Sequence, residues 1–174
     1  GDWSSDVCSS DLAGVTVIGS SSVESIYGSS YADSIDGSGG ADYIDAGSGS
    51  DSVVYGASSV RLIAGDDSSV DYLVFSSAPT DGFTLNSSVS GFEVLDGRAV
   101  SSGITITGSS SNADTIYGGA GADYIDGGSG VSADSLMGGG GADTMVAGQG
   151  RDTIWLGSTT SYFGADSGGD NAVD

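Results

Sequence analysis

An acidic residue followed two positions later by a large apolar one returns at a near-constant interval along two stretches of this chain. In a nine-residue frame that opens at Gly19, the pairs are Glu24 with Ile26, Asp33 with Ile35, Asp42 with Ile44 and Asp51 with Val53. A second run gives Asp114 with Ile116, Asp123 with Ile125, Asp134 with Leu136, Asp143 with Met145 and Asp152 with Ile154. The fullest copy, Gly118–Asp126, reads G-G-x-G-x-D-x-U-x, where U is large and apolar. Glycines at positions one, two and four are expected to allow a tight turn with positive φ. The acid at position six offers hard oxygen ligands, and the residue at position eight is the one that must point inward.

A three-residue strand, x-U-x, followed by a six-residue turn cannot bury a core alone. Stacked copies can, with the position-eight side chains held between two parallel sheets. The expected fold class is therefore all-β, a right-handed parallel β-roll or β-solenoid. Two nonapeptides make one coil, so alternate copies stack, with strands about 4.8 Å apart. The expected partners are Glu24 with Asp42, Asp33 with Asp51, Asp114 with Asp134, Asp123 with Asp143, and Asp134 with Asp152. A bare ladder of carboxylates at that spacing repels itself. A divalent cation between coils turns repulsion into ligation, and calcium accepts carboxylate and carbonyl oxygens more readily than magnesium, which demands a stricter octahedron.

The charge balance points the same way. The chain carries 24 acidic residues and 3 basic ones, with a net charge of -21. All three basic residues are arginines (Arg61, Arg98 and Arg151), and lysine and histidine are absent. Such a charge disfavours nucleic acid or an anionic membrane as partner. Hydrophobic residues still make up 37% of the chain and recur at fixed intervals, so disorder is not the expectation. No apolar run approaches the roughly 20 residues of a membrane-spanning helix, and no membrane insertion is expected of this segment.

Five segments are expected. Residues 1–12 fit no repeat, and residues 2–12 resemble the translation of a common high-throughput sequencing adapter. They are read as a non-native scar that joins no repeat. That leaves Cys8 outside the native part, which then has no cysteine and offers no soft metal ligand. Residues 13–56 form the first repeat block and 108–156 the second. Residues 57–107 keep strand-like runs at Val60–Ile63, Tyr72–Phe75, Phe83–Leu85 and Phe92–Leu95, with Pro79 in a loop, and read as a metal-poor solenoid spacer. Asp71 with Leu73 keeps the acid-to-apolar spacing there without a glycine turn. Gly127–Met137 holds two extra residues, placed in its turn because an insertion in the strand would flip the side chains. Residues 157–174 show no clean frame and read as a degenerate cap or truncated repeat.

Over residues 19–54 and 109–155 the chain resembles the calcium-binding β-roll of repeats-in-toxin (RTX) proteins. The resemblance implies calcium held by the sixth-position acids Glu24, Asp33, Asp42, Asp51, Asp114, Asp123, Asp134, Asp143 and Asp152. It also implies a role for turn glycines Gly37, Gly47, Gly118, Gly119, Gly121, Gly138, Gly139, Gly141, Gly148 and Gly150. The pattern is strongest in Gly118–Asp126, Gly138–Val146 and Ala147–Trp155, and weakest at Glu24, whose longer side chain departs from the motif, and at Asp114. Family members are typically exported by type I systems of Gram-negative bacteria and fold outside the cell. The resemblance thus implies an extracellular or cell-surface module of a larger secreted protein, with calcium as its ligand. Alternatives are a structural segment of a surface adhesin or S-layer-like protein and the accessory domain of a secreted hydrolase.

Other readings of the same residues are weaker. Tyr27, Tyr43, Tyr117 and Tyr124 suggest carbohydrate stacking, but they fall at positions seven and nine, where outward strand residues belong; a surface or carbohydrate partner is left unassigned. Asp36, Asp45 and Asp126 at position nine read as surface carboxylates. Thr105 and Thr107 are a single pair and not a threonine array of the ice-binding kind. Without histidine, lysine or a native cysteine, a Ser-His-Asp or Cys-His site cannot be assembled, and the paired carboxylates are used in the turns. No catalytic residue and no organic cofactor site are expected.

Overall fold

In the computed structural model, residues 7–8, 13–55, 61–65, 68–77, 83–84, 89–157, 161–164 and 171–173 are described. Every element among them is a strand: β1 (Val7–Cys8), β2 (Thr16–Ile18), β3 (Ser25–Ser29), β4 (Ser34–Asp36), β5 (Tyr43–Gly47), β6 (Ser52–Tyr55), β7 (Arg61–Ile63), β8 (Tyr72–Phe75), β9 (Phe83–Thr84), β10 (Val89–Ser90), β11 (Val94–Asp96), β12 (Thr105–Thr107), β13 (Thr115–Tyr117), β14 (Tyr124–Asp126), β15 (Ser135–Met137), β16 (Thr144–Val146), β17 (Thr153–Trp155), β18 (Tyr162–Gly164) and β19 (Asn171–Val173). Among the described residues, no helix is long and apolar enough to cross a membrane. The chain gathers into two compact units, Gly1–Val74 with Asn86–Phe92, and Phe75–Leu85 with Glu93–Asp174. The division runs through the segment 57–107 and not at its ends.

Each unit is a parallel β-solenoid in which strands alternate between two sheets. In the first unit the sheet orders are β1-β3-β5-β7-β10 and β2-β4-β6-β8. In the second they are β9-β12-β14-β16-β18 and β11-β13-β15-β17-β19. Pairing therefore joins each copy to the one two places on, as the coil of two nonapeptides requires. Position-eight residues stack on one another: Ile26 on Ile44 on Leu62 in one sheet, and Leu95 on Ile116 on Leu136 on Ile154 in another. All of these are fully buried or within 1% of it. The flanking positions seven and nine face outward, as the two-residue side-chain period of a strand dictates. Tyr27 and Tyr124 are exposed there, and Tyr43 and Tyr117 are half-buried.

The two extra residues of Gly127–Met137 lie in the turn. Val131 is 81% exposed, while Leu136 remains fully buried and in register with Ile116. An insertion of two in a turn costs little loop entropy, whereas a one-residue slip in the strand would turn Leu136 outward.

Three expectations need correction. Residues 1–12 were expected to join no repeat, yet Val7 and Cys8 pair in parallel with Ile26 and Tyr27. Strand addition uses only backbone N–H and C=O groups, so an open sheet edge accepts a short extended segment whatever its origin; the rest of that segment lies outside the described residues. The strand expected over Phe92–Leu95 begins only at Val94, and Phe92 instead packs as a fully buried core residue. In the tail, β18 and β19 carry the backbone register onward, with Met145 paired in register with Phe163 and Ile154 with Ala172. The nine-residue frame thus runs on from Trp155 through Leu156–Gly164 and Ala165–Val173. It was obscured because serine, Ser161, holds position six of the first of these copies. Pro79, Val60, Leu85 and residues 165–170 fall outside the described residues.

Candidate metal centre

The strands place the acids, because position six immediately precedes each strand and shares its register. Asp33, Asp42, Asp51, Asp114, Asp123, Asp134, Asp143 and Asp152 are all buried, and so is Glu24. Their carboxylates form a ladder with the backbone of the neighbouring coil. Asp51 Oδ1 accepts the Asp33 N–H at 2.8 Å, and Asp42 Oδ1 accepts the Glu24 N–H at 3.1 Å. In the second block Asp134 Oδ1 accepts from Asp114 at 2.8 Å, Asp143 Oδ1 from Asp123 at 3.0 Å, and Asp152 Oδ1 from Asp134 at 2.8 Å. The second carboxylate oxygen turns to its own loop. Asp33 Oδ2 accepts the Ser29 N–H at 2.6 Å and Asp123 Oδ2 the Gly119 N–H at 2.7 Å.

Glu24 does the same despite its extra methylene. Its Oε2 accepts the Ser20 N–H at 3.0 Å and its Oε1 takes a short hydrogen bond from the Ser20 hydroxyl. The longer side chain therefore does reach its turn, and it is only 7% exposed.

Glycine serves two separate needs. Position two and position four of several copies use positive φ, as at Gly47 (98°), Gly139 (88°), Gly148 (94°) and Gly141 (104°). Position one does not, contrary to expectation; there the requirement is space. A Cβ on Gly37 would come within 2.8 Å of Asp42 Oδ2, and one on Gly118 within 2.5 Å of Asp123 Oδ2 and against the Gly138 carbonyl. On Gly138 it would collide with Asp143 Oδ2. At Gly119, Gly121 and Gly150 the same crowding comes from the Val100 carbonyl, the Gly103 N–H and the Ser132 carbonyl. The position-one glycines thus leave room where a buried carboxylate oxygen meets a carbonyl of the adjoining coil. At Gly108 that point lies 2.6 Å from Asp114 Oδ2 and 2.8 Å from the Gly127 carbonyl.

Burial makes four of these carboxylates, Asp42, Asp114, Asp123 and Asp134, reluctant to ionise. It is the main reason that Asp134 is raised to about 7, with the neighbouring charges of Asp114 and Asp152 adding to it. Burial likewise raises Asp114 to about 6, against the hydrogen bonds from Ser109. Asp42 and Asp123 are also raised by burial. Three arginines cannot neutralise 24 acids, and Arg98 is already paired with Asp96 at 2.6 Å and stacked 4.5 Å over Tyr117.

The donor set fits a hard divalent cation. It consists of carboxylate and carbonyl oxygens, and Asp114 Oδ1 is a buried oxygen with no hydrogen-bond partner. Among the described residues no three acidic, histidine or cysteine side chains converge, so paired acids would need turn carbonyls or water to complete a shell.

Sequence reasoning missed parts of this arrangement. Asp71 is buried and its Oδ1 accepts the Asp51 N–H at 2.7 Å, extending the ladder beyond the glycine-rich copies. The Asp71-to-Leu73 spacing was the available signal. Ser161 ends another run: its hydroxyl accepts the Asp143 N–H at 3.2 Å and donates to Asp143 Oδ2 at 3.3 Å. The position-nine acids are more than surface carboxylates, since Asp36 Oδ1 accepts the Ser38 N–H at 2.7 Å and Asp126 Oδ1 the Gly128 N–H at 2.9 Å. Each braces the start of the next turn, and Ser38 holds a φ of 62° there.

The family profile of the RTX calcium-binding nonapeptide repeat (4 copies) matches residues 18–53, 105–132 and 132–159, together just over half of the chain. No curated protein and no solved structure is significantly similar to it.

Proposed function

We propose that this chain, which belongs to the RTX calcium-binding nonapeptide repeat family, is the calcium-folded module of a larger secreted bacterial protein. That it is a calcium-binding repeat module follows from the family. That it is exported before it folds, and orders outside the cell, is the reading its chemistry supports. The observation that carries it is the buried carboxylate ladder. Buried like charges destabilise the fold until protons or cations offset them. In a compartment poor in calcium the second block then has little reason to close, because its glycine-rich turns cost roughly 1–2 kcal/mol of entropy per residue fixed. A cation that binds only the folded coils stabilises them in proportion to the logarithm of its concentration. Calcium supplies the charge, and the chain supplies the spacing, the carbonyl-lined turns and the exclusion of water.

The test is a calcium titration followed by far-ultraviolet circular dichroism and calorimetry. The expected result is a gain of β signal and heat of binding at millimolar calcium, with magnesium much less effective. The same β spectrum in chelator and in calcium, with no heat, would reduce the ladder to a metal-free structural device.

A further inference from the structure

We infer that Glu93, which lies outside the residues matched by the family repeat and in the segment whose sequence reads as metal-poor, joins Asp114 at the edge of the second repeat block to form an additional divalent-cation site. The inference rests on the calcium reading above. Strand β11 pairs with β13 so that Val94 faces Thr115 and Leu95 faces Ile116. Glu93 therefore stands in the position-six place of the coil next to Asp114. The backbone agrees: the Thr115 N–H donates to the Glu93 carbonyl at 2.8 Å, as Ser135 does to Asp114 and Thr153 to Asp134 at the same distance.

The side chains break the rule at this one rung. In the runs through Asp134 and Asp152, each Oδ1 accepts the N–H of the preceding position-six residue. Asp114 Oδ1 accepts no hydrogen bond, although Asp114 is only 2% exposed. Its other oxygen is held by the Ser109 N–H at 2.6 Å, which fixes the carboxylate in place. A buried anionic oxygen without a donor is costly, and the side chain that the register places in the same rung is Glu93, a second carboxylate, which when ionised adds no donor. Two carboxylates that share a rung, one with an unused oxygen, suit a hard cation whose remaining ligands are carbonyls and water. The sequence hid the site because Glu93 follows Gly91-Phe92 and not a glycine-rich turn.

The test uses the full chain and calcium itself. Equilibrium dialysis at saturating calcium counts bound ions for the wild type, Glu93→Gln and Glu93→Asp. Melting in calcium and in chelator is followed alongside. The expected result is one calcium fewer in Glu93→Gln, a smaller calcium-induced rise in melting temperature, and an unchanged spectrum in chelator, with Glu93→Asp keeping the wild-type count. An equal count in Glu93→Gln, or a loss of stability that is the same in chelator and calcium, overturns the inference and makes Glu93 structural. A wild type that binds no calcium overturns the family-based reading and this site with it.

Discussion

Within the second unit, residues 75–85 with 93–107 and residues 108–156 solve the same stacking problem with different chemistry. The first stretch is filled by bulk: Phe75, Phe83, Val94, Leu95, Val100, Ile104 and Ile106 are buried, and Phe75 meets Phe83 edge-on at a centroid distance of 4.9 Å. The second buries one large apolar residue per copy and adds the acids Asp114, Asp123, Asp134, Asp143 and Asp152. Burying a large apolar side chain contributes about 1.5–3 kcal/mol, which does not offset the ordering of nine residues. On the proposed reading, bulk should let the first stretch order without cations, whereas the second, which buries charge in place of bulk, should depend on them.

The comparison is tested most severely by removing calcium. Hydrogen exchange in chelator should show residues 108–156 losing protection at β13 to β17 while the amides around Leu95 and Ile106 stay slower. Uniform loss or uniform retention would erase the distinction. Next in size, Phe75→Ala should destabilise the apolar stretch by about 3–5 kcal/mol, and by a similar amount in chelator and in calcium when followed by local exchange. A smaller effect is expected from the ladder. Asp123→Ala and Asp143→Ala should each raise the calcium midpoint by about tenfold or more. Asp126→Ala, which loses only the brace to Gly128, should shift it far less, because a single hydrogen bond contributes about 0.5–1.5 kcal/mol.

Acid offers a milder probe of the same contrast. Asp134 and Asp114 stand at about 7 and about 6 in the fold, above their ordinary value of 3.8. Between those values the native state binds more protons than the unfolded chain, so stability falls as pH rises. Metal-free protein should therefore melt higher at pH 5 than at pH 7.5, and calcium should flatten that dependence. A metal-free melting temperature that climbs from pH 5 to pH 7.5 would contradict it. The smallest effect is expected at the N-terminal edge. Deleting residues 1–12 removes the pairing of Val7 and Cys8 with β3, and should speed exchange at Ile26 and Tyr27 while moving the melting temperature by no more than a few degrees. A collapse of the first unit on deletion would make β1 an integral strand.

Much of this was legible in the residues. The recurrence of an acid two places before Ile, Val, Leu or Met determined strand length, coil size, the identity of the core and the pairing of alternate copies. These follow from a side-chain period of two and a repeat of nine, both properties of the chain alone. Turn chemistry was legible only where glycine marked it. Asp71, Glu93 and Ser161 lack that mark, and their place in the ladder comes from strand registers. The tertiary structure also decided why position one is glycine, since crowding by Asp42, Asp123 and Asp143 exists only once the turn has closed and its neighbouring coil is stacked. It decided what each carboxylate oxygen binds as well. A sequence fixes which residue follows which, but the donor that reaches Asp134 Oδ1, and the lack of one at Asp114 Oδ1, depend on the coil that lands beside it.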